Sequence, residues 1–123
     1  MTTDQYRYTA TLITTWQGFH RIRKQRGLCI GCCYVLLCFL LAEGSKIKTT
    51  QGYCRRKLVM HNAYRINLYF SILIRENYIN SAGQSGNIKY FSLTSTGRSL
   101  AVDLLNACDM ARVAWFNKHP LPA

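Results

Sequence analysis

Residues 28–42, LCIGCCYVLLCFLLA, carry no charge and hold four of the six cysteines in a chain of 123 residues. Such a run can cross a membrane, hold a metal through thiolates, or lie buried inside a protein core. A bilayer crossing needs about 20 predominantly apolar residues, and shorter runs are more often core helices. Arg26 on one side and the AEGSK sequence on the other close this run firmly. A helix with no polar face belongs in the middle of a bundle. The expectation is therefore a buried helix over residues 28–43, ended by Gly44, and no membrane partner.

The cysteines are read as part of that packing. Cys29, Cys32, Cys33 and Cys38 fall within ten residues, a poor layout for disulfides that tie distant segments together. The opening MTTDQYRYTATLITTW lacks the basic start and continuous apolar run of a signal peptide, so reduced thiols in the cytoplasm are expected. Cys29-x-x-Cys32-Cys33 has the spacing of half a zinc site, yet a closed site needs four ligands. Buried free cysteine behaves as a small hydrophobe. No metal and no cofactor are expected, although Cys29, nearest the exposed helix start, leaves open a redox- or metal-responsive regulator.

Amphipathic segments surround this helix. Tyr8, Leu12, Trp16, Phe19 and Ile22 recur every three or four residues and predict a helix over residues 5–25 with those five on one face. Gly27 follows the basic run HRIRKQR and is a natural stop. TTQGYCRRKL predicts a brief third helix capped by Thr49 or Thr50, with Tyr53, Cys54 and Leu58 inward. Asn62 is a good cap for a fourth helix. There Ile66, Phe70 and Leu73, flanked by Tyr69, form the buried side. NYIN and IKYFSLT flank SAGQSG as a β-hairpin with a loose tip. A last helix, capped by Ser95 or Thr96, runs to about Asn117 with a stripe of Leu100, Leu104, Cys108, Ala111 and Trp115, joined by Leu105 and Phe116. The tail HPLPA frays.

The order is helix, buried helix, short helix, capped helix, hairpin, long helix. The third and fourth helices fit a helix-turn-helix with LVMHN as the turn, and the hairpin fits a wing. Charge supports this placement. The whole chain carries sixteen Lys and Arg against five Asp and Glu, a formal +11. From Lys46 to Arg98 nine cations face one acid, Glu76. An excess of that kind suits a polyanion.

Two motifs add a resemblance. LIRENYI (73–79) and YFSLTSTG (90–97), the latter a second wing strand running into a Leu-Thr-x-x-Gly turn, resemble winged-helix regulators, in particular the MarR family. Asn77 stands where that family often has glycine, and Asn tolerates the left-handed backbone. The wing tip also lacks the family's usual acidic–arginine pair. The resemblance implies a mainly α fold with a β-hairpin wing. Residues 1–123 would form one winged-helix domain, with 5–45 and 96–117 as scaffold and dimerisation helices and 47–95 as helix-turn-helix plus wing. It further implies a homodimer that binds double-stranded DNA at a pseudo-palindromic site, as a repressor or related transcriptional regulator. An unidentified small-molecule effector is implied as well.

Within that frame Asn62, Tyr64, Arg65, Asn67 and Leu68 are the expected base readers, since Arg pairs with guanine and Asn with adenine. Lys48, Arg55, Arg56, Lys57 and Ser71 would hold phosphate. Lys89 and the tip residues Gln84, Ser85 and Asn87 would follow the backbone or minor groove. Leu12, Trp16, Leu104, Cys108, Ala111 and Trp115 are the expected dimer contacts. Other classes fit less well. His20, His61 and His119 are scattered and no carboxylates are paired, so an enzyme is not expected. An RNA-binding or protein-binding adaptor on the same fold is the remaining alternative, with Tyr90 and Phe91 as its only stacking candidates.

Overall fold

The computed structural model describes residues 1–121; of the HPLPA tail, Pro122 and Ala123 lie outside the described residues. The elements are α1 (Thr3–Arg26), α2 (Ile30–Gly44), α3 (Gln51–Lys57), α4 (Ala63–Arg75), β1 (Ile79–Ser85), β2 (Ile88–Leu93) and α5 (Ser95–Lys118). They divide into two compact units, Cys29–Ala101 and a second made of Met1–Leu28 with the chain from Val102 onward. Among the described residues no single helix is long and apolar enough to cross a membrane.

In the unit of the chain ends, α1 starts at a capping box. The Thr2 hydroxyl accepts the Gln5 N–H, and the Gln5 side chain accepts the Thr2 N–H. Gly27 ends the helix with φ of 66°, the left-handed conformation that glycine adopts freely. The expected apolar face is buried within the chain over only part of its length. Phe19 and Ile22 are buried, but Tyr8, Leu12 and Trp16 are all more than half exposed. The side that packs is Ala10, Thr14 and Gly18, small residues four apart. They let the C-terminal part of α5 come close: a Cβ on Gly18 would stand 2.6 Å from the Cys108 sulfur, and that thiol approaches the Thr15 carbonyl at 3.7 Å. Contacts of Tyr6 with His119 and of Arg26 with Asp103 make the two segments antiparallel.

In the unit Cys29–Ala101, α2 is the centre. Cys32, Cys33, Val35, Leu36, Cys38, Phe39 and Ala42 are buried along it, so the apolar run is a core helix. Gly44 is its last residue, and the left-handed turn that follows is made by Lys46, with φ of 55°. Phe39, Phe70 and Phe91 join α2, α4 and β2, with ring centroids 5.8 and 5.1 Å apart. The tip expected over residues 81–86 is instead mostly strand. β1 and β2 pair from Ile79–Leu93 to Ser85–Ile88, with a bulge between Ser81 and Gly83, and only Gly86 and Asn87 turn. The Phe91 N–H also bonds the Thr49 carbonyl, which adds a one-residue third rung to the wing.

The Leu-Thr-x-x-Gly turn has a physical basis here. The Thr94 hydroxyl donates to the Asn77 carbonyl at 2.7 Å and accepts the Gly97 N–H at 3.0 Å. Thr94, not Ser95 or Thr96, therefore caps α5. Gly97 lies against the Tyr78 carbonyl so closely that a Cβ would fall 1.8 Å from the oxygen. Asn77 takes the left-handed backbone, φ 62°.

Candidate nucleic-acid interface

The interface lies wholly within the unit Cys29–Ala101. Thr50 caps α3 by accepting the Tyr53 N–H, and burial of Tyr53 and Cys54 fixes the helix's roll. Arg55, Arg56 and Lys57 are thereby turned to solvent in the last turn, where cations also complement the helix dipole. α4 buries Ile66, Tyr69, Phe70 and Leu73. Its opposite side presents Tyr64, Arg65, Asn67, Leu68 and Ser71, all exposed; Tyr64 is 75% and Leu68 44% accessible. Five of the residues proposed from sequence to touch bases or phosphate thus share one outward face.

Asn62 has the capping role expected of it. Its side-chain oxygen accepts the Arg65 N–H at 2.9 Å and caps α4, which leaves the amide N–H groups as its free donors. The Ser71 hydroxyl likewise donates to the Asn67 carbonyl one turn back. Gln51 approaches the Asn67 oxygen at 3.4 Å and ties the start of α3 to α4. In the wing, Gln84 donates to the Gly86 carbonyl at 2.8 Å and stiffens the tip. Ser85, Asn87 and Lys89 are exposed.

Between α3 and β2 runs an open cleft of about 610 Å³, lined by Lys48, Arg55, Arg56 and Lys89 together with Gln51, Gly52, Asn87 and Tyr90. The Lys48 ammonium lies 5.0 Å from the centre of the Tyr90 ring, which orders this cation beside the wing. Sequence reasoning missed Gln51, Gly52 and Tyr90 as lining residues. The Thr49–Phe91 rung that brings the start of α3 opposite the wing is too short to leave a strand pattern.

The ion pairs decide where charge is left over. Among the described residues they are Arg26–Asp103, Arg75–Glu76, Arg98–Glu43 and Arg112–Asp109. Two of the nine cations counted between Lys46 and Arg98 are thus compensated, while Lys48, Arg55, Arg56, Lys57, Arg65 and Lys89 take part in none of these pairs. With Lys46 these make seven of the twelve cations outside such pairs, the others being Arg7, Arg21, Arg23, Lys24 and Lys118; the helix-turn-helix and wing thus hold the larger share of unmatched positive charge.

The expected dimer contacts divide. Leu12 and Trp16 are exposed, Cys108, Ala111 and Trp115 are half-buried, and Leu104 is fully buried within the chain, so Leu104 has no surface to offer a second copy. Cys32, Cys33, Cys38 and Cys54 are buried, Cys29 and Cys108 partly so, and all six are free thiols. Burial pushes the Cys108 thiol up; a hydrogen bond to Cys38, together with burial, does the same to Cys54. No group of three or more His, Cys, Asp or Glu among the described residues is placed to hold a metal ion.

These features define a MarR-like winged helix. Comparison with solved structures gives the same fold. MepR, a transcription regulator of the Staphylococcus aureus multidrug efflux pump MepA, superposes with a TM-score of 0.73 at 13% identity, over 96% of this chain and 84% of that one. A MarR family transcription regulator matches with a TM-score of 0.68 at 17% identity, over 82% of this chain and 64% of that one. A MepR variant bound to an oligodeoxyribonucleotide matches with 0.69 at 15% identity, over 96% and 85%. MepR bound to ethidium bromide matches with 0.66 at 14% identity, over 93% and 81%. No protein-family model and no curated protein matches in sequence.

Proposed function

We propose that the chain is a DNA-binding transcription regulator that binds duplex DNA as a homodimer, with α4 in the major groove and the wing beside it. The observation that carries this reading is the concentration of unpaired cations around an outward helix face that also offers Arg65, Asn67, Tyr64 and Leu68. A major groove about 12 Å wide admits such a helix. Arg65 reads guanine and Asn67 reads adenine in this proposal, while Lys48, Arg55, Arg56, Lys57 and Lys89 hold phosphate. The structure of a MepR variant with an oligodeoxyribonucleotide supports the DNA partner. The ethidium complex of MepR extends the proposal to a small-molecule effector. A repressor role belongs to the same proposal.

The dimer reading rests on the unit of the chain ends. Tyr8, Leu12, Ile13 and Trp16 on α1, with Val102, Leu105, Met110 and Val113 on α5, are large apolar side chains left exposed in the single chain. A second copy covering them would place two recognition helices on one symmetric site.

Selection from a random duplex library is the test. The selected site is expected to be a pseudo-palindrome. Arg65→Ala is expected to cost about 1–3 kcal/mol on that site and to relax discrimination at one position of each half. An equal loss on selected and random duplexes would reduce Arg65 to a phosphate contact, and failure to enrich any sequence would remove base reading altogether.

A further inference from the structure

We infer that Gln51 is a positioning residue for base reading: it holds the Asn67 amide in the one orientation that selects adenine, and it links that amide to the phosphate cleft. This role rests on the DNA-binding function proposed above and adds the residue that sets what Asn67 reads. Gln51 is the first residue of α3, and Asn67 lies on the outward face of α4. The Gln51 side-chain N–H donates to the Asn67 side-chain oxygen at 3.4 Å, from one helix to the other. Gln51 is half-buried and Asn67 is exposed, so the donor is anchored and the acceptor meets the groove. The backbone that carries Gln51 is itself held. Thr50 caps α3 by accepting the Tyr53 N–H, and the Thr49 carbonyl accepts the Phe91 N–H of the wing.

An exposed asparagine amide has no fixed reading of its own. Its last torsion is broad and nearly two-fold, so oxygen and nitrogen exchange places at little cost. With nitrogen toward N7 and oxygen toward N6, the amide pairs with adenine through two hydrogen bonds. Reversed, it sets acceptor against acceptor and donor against donor. A donor aimed at the oxygen removes the second orientation. The Ser71 hydroxyl bonds the Asn67 backbone carbonyl and the Asn62 oxygen bonds the Arg65 N–H, so both are engaged with backbone and leave this task to Gln51.

The donors and acceptors then balance. The Asn67 oxygen has two lone pairs, one for Gln51 and one for the adenine N6–H, while the Asn67 N–H turns to N7. The Gln51 amide carries a second N–H, and its side chain lines the cleft with Lys48, Arg55 and Arg56, where a backbone phosphate oxygen accepts it. Base and backbone are read through one pair of amides. Asn67 discriminates fully only when the helix-turn-helix is seated on phosphate.

The test compares the full chain's affinity for the selected duplex with its affinity for the same duplex carrying 7-deazaadenine, which lacks the N7 acceptor. The substituted position is the one where Asn67→Ala relaxes the selected sequence. The analogue is expected to cost the unaltered chain about tenfold, Asn67→Ala nothing, and Gln51→Ala only about threefold. Gln51→Glu is nearly isosteric but can only accept. It is expected to draw the Asn67 N–H, turn the oxygen outward, and move the preference at that position from adenine toward cytosine, which offers an N4–H donor. Ratios between duplexes decide the outcome, because a merely structural loss lowers affinity for all of them alike. An equal 7-deazaadenine cost in the unaltered chain and in Gln51→Ala overturns the positioning role, as does a Gln51→Glu chain that keeps its adenine preference. Either result leaves the DNA-binding function standing. A chain that binds no duplex overturns both together.

Discussion

Replacing Arg55, Arg56 and Lys57 together by alanine is expected to weaken duplex binding roughly a hundredfold near 0.1 M salt, with the loss spread evenly over selected and random sequences. The three side chains end α3, face solvent, and enter none of the ion pairs. Their charge has no structural use in the chain beyond a modest dipole effect and the stacking of Lys57 on Tyr53. Each lost phosphate contact is expected to lower the slope of log affinity against log salt by about 0.9. Fluorescence anisotropy measures the loss, and circular dichroism checks that the helices persist. Undiminished binding by a folded variant would move the phosphate contacts elsewhere.

The largest expected effect on stability is at Phe70. Its ring is buried between Phe39 of the core helix and Phe91 of the wing, so it is the shared wall of α2, α4 and β2. Phe70→Ala is expected to cost about 3–5 kcal/mol, from lost burial and the cavity left behind. Domains of this size are stable by only about 5–15 kcal/mol, so a large part of the folding free energy depends on one side chain. Urea unfolding measures it. A cost under about 1 kcal/mol, the level of a volume-conserving swap, would contradict the packing described.

Phe70 is also an example of what periodicity makes legible. Ile66, Phe70 and Leu73 fall on one side of α4 at spacings of four and three, and all three are buried. Once that side is fixed, Tyr64, Arg65, Asn67 and Leu68 must point outward. The capping role of Asn62 follows from side-chain chemistry and was equally readable, whereas for α3 the sequence left Thr49 or Thr50 and the cap is Thr50. The packing face of α1 was not readable. Large apolar residues mark a buried stripe only where the partner stands off, and the partner here approaches through Ala10, Thr14 and Gly18. Hydrophobic periodicity marked the side that the proposed dimer covers, and the small-residue side that packs within the chain left no such mark.

The wing shows the same limit in another form. SAGQSG is rich in turn-forming residues, yet Gly83 pairs with Tyr90 and only Gly86 and Asn87 turn. Glycine permits a turn without requiring one, and the register is set by Ile79 and Leu93 at the buried end. The cap of α5 moved by one residue, to Thr94, because that hydroxyl also has the Asn77 carbonyl to bond. A contact seventeen residues away leaves no local signature. The cysteines divided along similar lines. Core packing explains Cys33, Cys38 and Cys54, whereas the 3.2 Å approach of the Cys29 and Cys32 sulfurs depends on where α2 begins.

A salt titration of binding to the selected duplex tests the account most directly. Lys48, Arg55, Arg56, Lys57 and Lys89 together are expected to give a linear fall of log affinity with log salt, with a slope magnitude of about 4–5 per chain. A slope near zero, or no binding even at low salt, would contradict the assignment of the unpaired positive face to DNA.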